Sequence, residues 1–175
     1  MFRESLEFGK VGESLIAKWM RKRGHAVLPV YEVEQGHGKG PRLFMPDQLL
    51  VAPDMLVVSG LNAWWIEAKH KTAFAWNRTR QIWVTGIDRY HFQQYCIVDD
   101  STPWPVWLLF LHRGGEAKDS PPSPSGLYGR SLHHLRKCVN HESDKGGGTS
   151  GMVYWAKTDL LQLAEIEEVI DVLDI

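Results

Sequence analysis

Apolar positions recur at helical spacing early in the chain. Phe8, Val11, Leu15 and Trp19 form one stripe, which predicts a helix over about 4–23. Arg21-Lys22-Arg23 suits the negative end of a helix dipole, and Gly24 supplies a stop. Ala26 to Glu34 reads as a strand. Gln35 to Pro41 reads as a loop, because three glycines and a proline break regular structure there. Two short apolar runs follow, Met55 to Ser59 and Trp64 to Lys69. The turn residues Ser59-Gly60-Leu61-Asn62 separate them, so the pair is expected to form a hairpin. A second helix is expected from Thr85 or Asp88 to about Val98, with Ile87, Tyr90, Gln94, Tyr95 and Val98 near helical spacing. Pro103-Trp104-Pro105 closes that connection, and Val106 to His112 reads as a buried strand. Met152 to Lys157 reads as another strand, followed by a short acidic helix.

Between Gly114 and Gly151 the pattern weakens. Pro121-Pro122-Ser123-Pro124-Ser125-Gly126 and Gly146-Gly147-Gly148 bracket a stretch, Tyr128 to Val139, that fits helix or strand alike. The region reads as a partly mobile excursion at about 114–151 on one domain of 1–175, a length that supports a core of its own. No apolar run approaches the roughly 18 residues of a membrane span. Met1-Phe2-Arg3-Glu4-Ser5 carries charge where a signal peptide needs apolar residues. The expectation is a cytoplasmic protein with no membrane partner. Cys96 and Cys138 have no metal-site spacing and read as reduced thiols.

The net charge of −1 conceals an asymmetry. All 20 basic residues precede Asp159, whereas six of the 21 acids lie from Asp159 onward, which leaves the preceding body basic by five. That balance is compatible with a nucleic-acid partner and equally with an ordinary mixed surface.

The chemistry concentrates in Pro53-Asp54 and Glu67-Ala68-Lys69. Side chains alternate along a strand, so Glu67 and Lys69 point one way and Ala68 the other, into the core. Asp54 opens the preceding strand 13 positions earlier, a gap that suits strand, tight turn and strand. Two hard carboxylates converging on one point make a site for Mg²⁺ or Mn²⁺. Such an ion lowers the pKa of water beside a phosphodiester, and Lys69 would orient the water or offset developing charge. Pro46-Asp47 also precedes an apolar run, but Pro53 interrupts the path to Glu67, and Asp47 reads as a turn residue.

With those residues in view, the chain resembles the PD-(D/E)XK nuclease superfamily, which includes Holliday junction resolvases, restriction endonucleases and recombination exonucleases. The resemblance covers roughly residues 4–112. It implies an α/β fold with a restriction-endonuclease-like core: a central mixed β-sheet flanked by helices in the order αβββαβ. It implies Asp54 and Glu67 as metal ligands, the Ala68 carbonyl completing the shell, and Lys69 as the catalytic amine. The family often adds a glutamate from the leading helix, and Gly9-Lys10-Val11-Gly12-Glu13 fits, with Glu13 on the margin of the apolar stripe; a plain surface acid is the competing reading. Some members place a glutamine and a tyrosine four residues later on the helix after the catalytic strand. Gln94 and Tyr95 do not keep that order, so only Gln94 joins the candidates.

From Lys69 to Ile87 there are Lys69, Lys71, Arg78 and Arg80 before the first acid, interleaved with Trp76 and Trp83. Basic residues beside aromatics neutralise phosphates and stack on bases, which makes Lys71, Trp76, Arg78 and Arg80 candidate substrate contacts. Trp83 reads better as a core anchor. His37 and His133-His134 lack zinc-ligand spacing, and Gly146-Gly147-Gly148 lacks the lysine of a nucleotide-binding loop.

The resulting expectation is a Mg²⁺- or Mn²⁺-dependent deoxyribonuclease hydrolysing DNA by metal-activated water. Its recognition would rest on DNA shape, resolvase-like, or on a second subunit in a homodimer, with RNA left open. Two other classes remain: a catalytically inactive nucleic-acid- or protein-binding module of the same fold, and an unrelated α/β structural or inhibitory protein whose motif arose by chance.

Overall fold

The computed structural model describes residues 2–30, 41–116, 120–145 and 150–171. Helix α1 (Phe2–Lys22) ends with Arg21 and Lys22 in its last turn and Gly24 at a φ of 84°, the left-handed geometry glycine adopts without steric cost. Strand β1 (Ala26–Pro29) follows. The continuation expected at 31–34 and the loop at 35–40 lie outside the described residues. Next come β2 (Arg42–Phe44), β3 (Leu49–Val51), β4 (Met55–Ser59), β5 (Asn62–Lys71), β6 (Ala75–Asn77) and β7 (Ile82–Asp88). Helix α2 (Arg89–Ser101) starts at Asp88, whose carboxylate accepts the Tyr90 N–H at 2.9 Å. Then follow β8 (Val106–His112), β9 (Gly126–Ser131), α3 (Leu132–Leu135), β10 (His141–Ser143), β11 (Met152–Ala156), a 3-10 turn (Lys157–Asp159), β12 (Leu161–Ala164) and α4 (Ile166–Ile170).

Six strands form the central sheet in the order β1-β4-β5-β8-β9-β12. Only the β5–β8 pair is parallel; the other neighbours run antiparallel, so the sheet is mixed. A parallel neighbour needs a long crossover, and here β6, β7 and α2 supply it. A second sheet, β10-β11-β7-β6, is antiparallel throughout, and β2 with β3 forms a separate two-stranded hairpin.

The pleat of β5 divides the core. Ile66 and Ala68 face Leu15, Ile16, Trp19 and Met20 of α1, together with Val169 of α4. Trp65 belongs to the opposite cluster, with Leu108, Phe110, Tyr95 and Val98, and with Val153 and Trp155 of the second sheet. The sheet is therefore covered on both faces, one by helices α1 and α4, the other by α2 and the small sheet.

Four expectations change. Thr85 does not open a helix: it is a buried strand residue opposite Trp155, and Asp88 alone is the cap. The basic, tryptophan-containing stretch contains the β6–β7 hairpin, with Trp76 directly opposite Trp83. Residues 128–139 resolve into both strand and helix, with β9 fully paired inside the central sheet. After Asp159 a further strand, β12, precedes the acidic helix.

Candidate active site

The β4–β5 register explains the 13-residue gap. Met55 pairs with Ile66, so one further step along the ladder sets Asp54 opposite Glu67. The Asp54 carboxylate then accepts the Ala68 N–H at 2.8 Å, which fixes it against the catalytic-strand candidate β5. Val30 N–H donates to the Asp54 carbonyl at 2.9 Å and holds the backbone from the other side. Glu67 is 1% exposed, and Lys69, two residues on and therefore on the same face, brings its ammonium into contact with Glu67 Oε1. Glu67 Oε2 is sealed from solvent.

Glu13 reaches this cluster because α1 packs unusually close to β5. A Cβ on Gly12 would stand 2.4 Å from His70 Cβ, so only glycine permits that approach. His70 Nδ1 also meets the Phe8 carbonyl at 2.6 Å, its ring stacks on Phe8 at 3.7 Å, and Arg113 donates to its Nε2 at 3.0 Å. These contacts pin the helix that carries Glu13.

The four groups act on one another through their charges. Burial raises the Asp54 carboxyl well above its ordinary range, and the charge of Glu67 adds to the rise. Burial likewise raises Glu13, with Lys69 pulling it down and Glu67 pushing it up. Burial opposes the Lys69 charge, yet Glu67 and Asp54 outweigh it and hold the ammonium protonated. Burial and the carboxylates of Glu67 and Asp54 push the Tyr95 hydroxyl well up, so it remains a donor. Burying a charge costs several kcal/mol even after relaxation, whereas a buried neighbour such as Leu108 contributes about 1.5–3 kcal/mol. Buried ionisable groups that shift one another in this way make the cluster the candidate site.

The other candidates are placed differently. Lys71 continues the Glu67–Lys69 face of β5; burial and the Lys69 charge lower its pKa to about 8. Gln94 Oε1 accepts the Val51 N–H at 3.1 Å, so its side chain ties β3 to α2. Trp76 packs on Trp83 at 4.8 Å in the β6–β7 hairpin. Arg80, in the turn of that hairpin, donates to the Asn140 carbonyl and side chain, each at 3.0 Å. Arg78 is exposed in the same turn. Asp47 lies in the turn between β2 and β3, where Met45 N–H reaches the Gln48 carbonyl at 2.9 Å.

Two residues of the site escaped the sequence reading. His91, in the first turn of α2, feels Lys69, Glu67, Asp88 and Arg42; burial lowers its pKa before any of these charges act. Its ring lies 6.0 Å from that of Tyr95, one helical turn on. That spacing was the available signal for His91. Arg42 carried none, because no strand was expected at 42–44.

Among the described residues no group of three or more His, Cys, Asp or Glu is arranged to hold a metal ion. The donors that do fit a hard divalent cation are the two carboxylates. Asp54 and Glu67 face each other across the ladder, Glu67 buried with the Lys69 ammonium on its Oε1 and its Oε2 sealed from solvent. Carboxylate oxygens are the donor type such a cation takes.

No family model matches the chain, and no curated protein matches it. Among solved structures it is similar to Hjc of Archaeoglobus fulgidus, a Holliday junction resolvase from an archaeal hyperthermophile. The TM-score is 0.53 at 12% identity, covering 92% of this chain and 98% of that one. The likeness is one of fold: an α/β restriction-endonuclease-like architecture around a central mixed sheet.

Proposed function

We propose that the chain is a Mg²⁺- or Mn²⁺-dependent deoxyribonuclease with Asp54, Glu67, Lys69 and Glu13 as its working groups. The observation that carries this reading is the convergence of Asp54 and Glu67 across the β4–β5 ladder, with the Lys69 ammonium on Glu67. The fold shared with a resolvase supports it.

Asp54 and Glu67 would hold the cation, joined by the Ala68 carbonyl. When bound, the ion would polarise a phosphate oxygen and lower the pKa of water. Lys69 stays cationic against Glu67, so its part is to attract the phosphate and stabilise charge on the phosphorus oxygens; it is not set up to release its proton. Tyr95, held protonated, lends a donor beneath the same carboxylates. Glu13 adds a negative group at the rim. Lys71, Trp76, Arg78 and Arg80 remain proposed contacts to more distant parts of the strand. The proposed partner is DNA, with recognition by shape or through a homodimer and a cytoplasmic setting. No described helix is long and apolar enough to cross a membrane.

The test is cleavage of linear, nicked, flapped and four-way DNA with Mg²⁺ or Mn²⁺. Glu67→Ala and Lys69→Ala should each lower the rate by about a hundredfold or more. Full activity in either variant, or no cleavage by the parent, ends the proposal.

A second reading, the inactive binding module, is favoured by one observation: Lys69 already neutralises Glu67. Calorimetric titration with Mn²⁺ separates the two. Heat that disappears in Asp54→Asn supports the enzyme; absence of heat in the parent supports the module.

A further inference from the structure

The β2–β3 hairpin belongs to neither larger sheet, yet it borders the carboxylate cluster. Its inner face is apolar: Leu43 lies directly opposite Leu50, and both pack into the core beside Tyr95 and Trp65. Its outer face carries the cross-strand pairs Arg42–Val51 and Phe44–Leu49. The two ends of that face differ. At the base, Val51 is 4% exposed and bonded to Gln94, and the Arg42 charge acts on His91, which in turn feels Lys69 and Glu67. Toward the turn, Phe44 is 61% exposed and Leu49 is 49% exposed. One face therefore runs from the Arg42 charge at its base to an uncovered aromatic ring with an aliphatic neighbour.

Cross-strand neighbours on one face stand about 4.5–5.5 Å apart, so Phe44 and Leu49 make one small platform rather than two scattered residues. A platform of that size, on the same strand face as the Arg42 charge, matches the chemistry of a nucleotide: phosphate toward the charge, base on the ring. Bases inside an uninterrupted duplex are stacked on one another and offer no free face. Unpaired bases do.

We propose that Phe44 and Leu49 stack an unpaired base of a strand whose phosphate lies toward Arg42, so that the site selects single-stranded or flapped DNA over continuous duplex. This rests on the nuclease reading above and names its substrate class.

The test is fluorescence anisotropy in EDTA at fixed salt, with a labelled single-stranded oligonucleotide and a blunt duplex of equal length. Loss of a stacking partner costs about fivefold to a hundredfold in affinity. Phe44→Ala should lose that much on the single strand and less than about twofold on the duplex, and Phe44→Trp should keep both. Both substitutions lie at an exposed position and leave the core untouched. Equal loss on both DNAs, or none on either, overturns the platform. So does sedimentation showing that Phe44→Ala turns a parental dimer into a monomer, because the patch would then be covered by a second copy. If the parent cleaves DNA and only the Phe44 variants show no effect, the platform alone falls. If the parent neither binds nor cleaves DNA, the nuclease reading fails and takes the platform with it.

Discussion

His112 offers a test of how this core responds to acid. It is the last residue of β8, 0% exposed, stacked on Phe74 at 3.6 Å and near Phe110 and Tyr128. Burial first, and then the Lys71 charge, lower its pKa to about 3 from an ordinary 6.5. The unfolded chain thus binds a proton below pH 6.5 that the folded chain refuses until about pH 3. Stability from this group is whole above pH 6.5 and is lost as pH falls from there toward 3. Between pH 8 and pH 5 the loss is about 2 kcal/mol, since the unfolded imidazole is almost fully protonated at pH 5 and the folded one is not. For a chain of this size that is roughly 4–8 °C in Tm. Replacing His112 by Phe or Leu removes the proton site. Either variant carries a repacking cost of about 1–3 kcal/mol, but that cost does not depend on pH. The assay is calorimetric Tm at pH 8 and pH 5 for parent and both variants. The parent should lose about 4–8 °C more on acidification than either variant, the other histidines contributing equally to all three. Equal losses in all three proteins would refute the assignment of a neutral buried imidazole.

Two further outcomes follow from the packing around the site. Gln94→Ala strips the Val51 N–H of its acceptor, and urea unfolding should show a loss of about 1–3 kcal/mol, with KM for DNA little changed; a raised KM without lost stability would instead place Gln94 on the substrate. Gly12→Ala drives a methyl into His70, so it should destabilise by about 1–3 kcal/mol and lower cleavage by displacing Glu13. A Tm and a rate equal to the parent's would show that α1 does not need its close approach to β5.

Much of the fold was legible. β4 and β8 fall where the apolar runs end, because each run is short, continuous and bounded by turn residues or proline. The hairpin reading of Met55 to Lys69 also holds, since local turn chemistry sets the register between consecutive strands. Of the second sheet only β11 was legible, from the apolar run at 152–157. β7 reads poorly alone because it pairs with β11, where Ile87 meets Val153 far along the chain, and no local pattern announces a partner so distant. The same holds for β12, a short strand with Leu161 exposed, stabilised by the edge of β9. Arg80 drew notice from its basic neighbours alone; its hydrogen bonds to Asn140, 60 residues on, come from packing that no local pattern announces.

By itself the sequence determined the residue types at the site and the spacing that lets them meet. Alternation along β5 aims Glu67 and Lys69 together, and the strand–turn–strand length returns Asp54 to them; both are local consequences of backbone geometry. Tertiary structure alone decided what surrounds those groups. Burial, which is a property of the whole packed sheet, raises Asp54 and Glu13. The glycine contact at His70 draws Glu13 inward. Arg42, His91 and Tyr95 arrive from β2 and α2 because side chains far apart in sequence gain their electrostatic meaning only where the core brings them close and water is excluded.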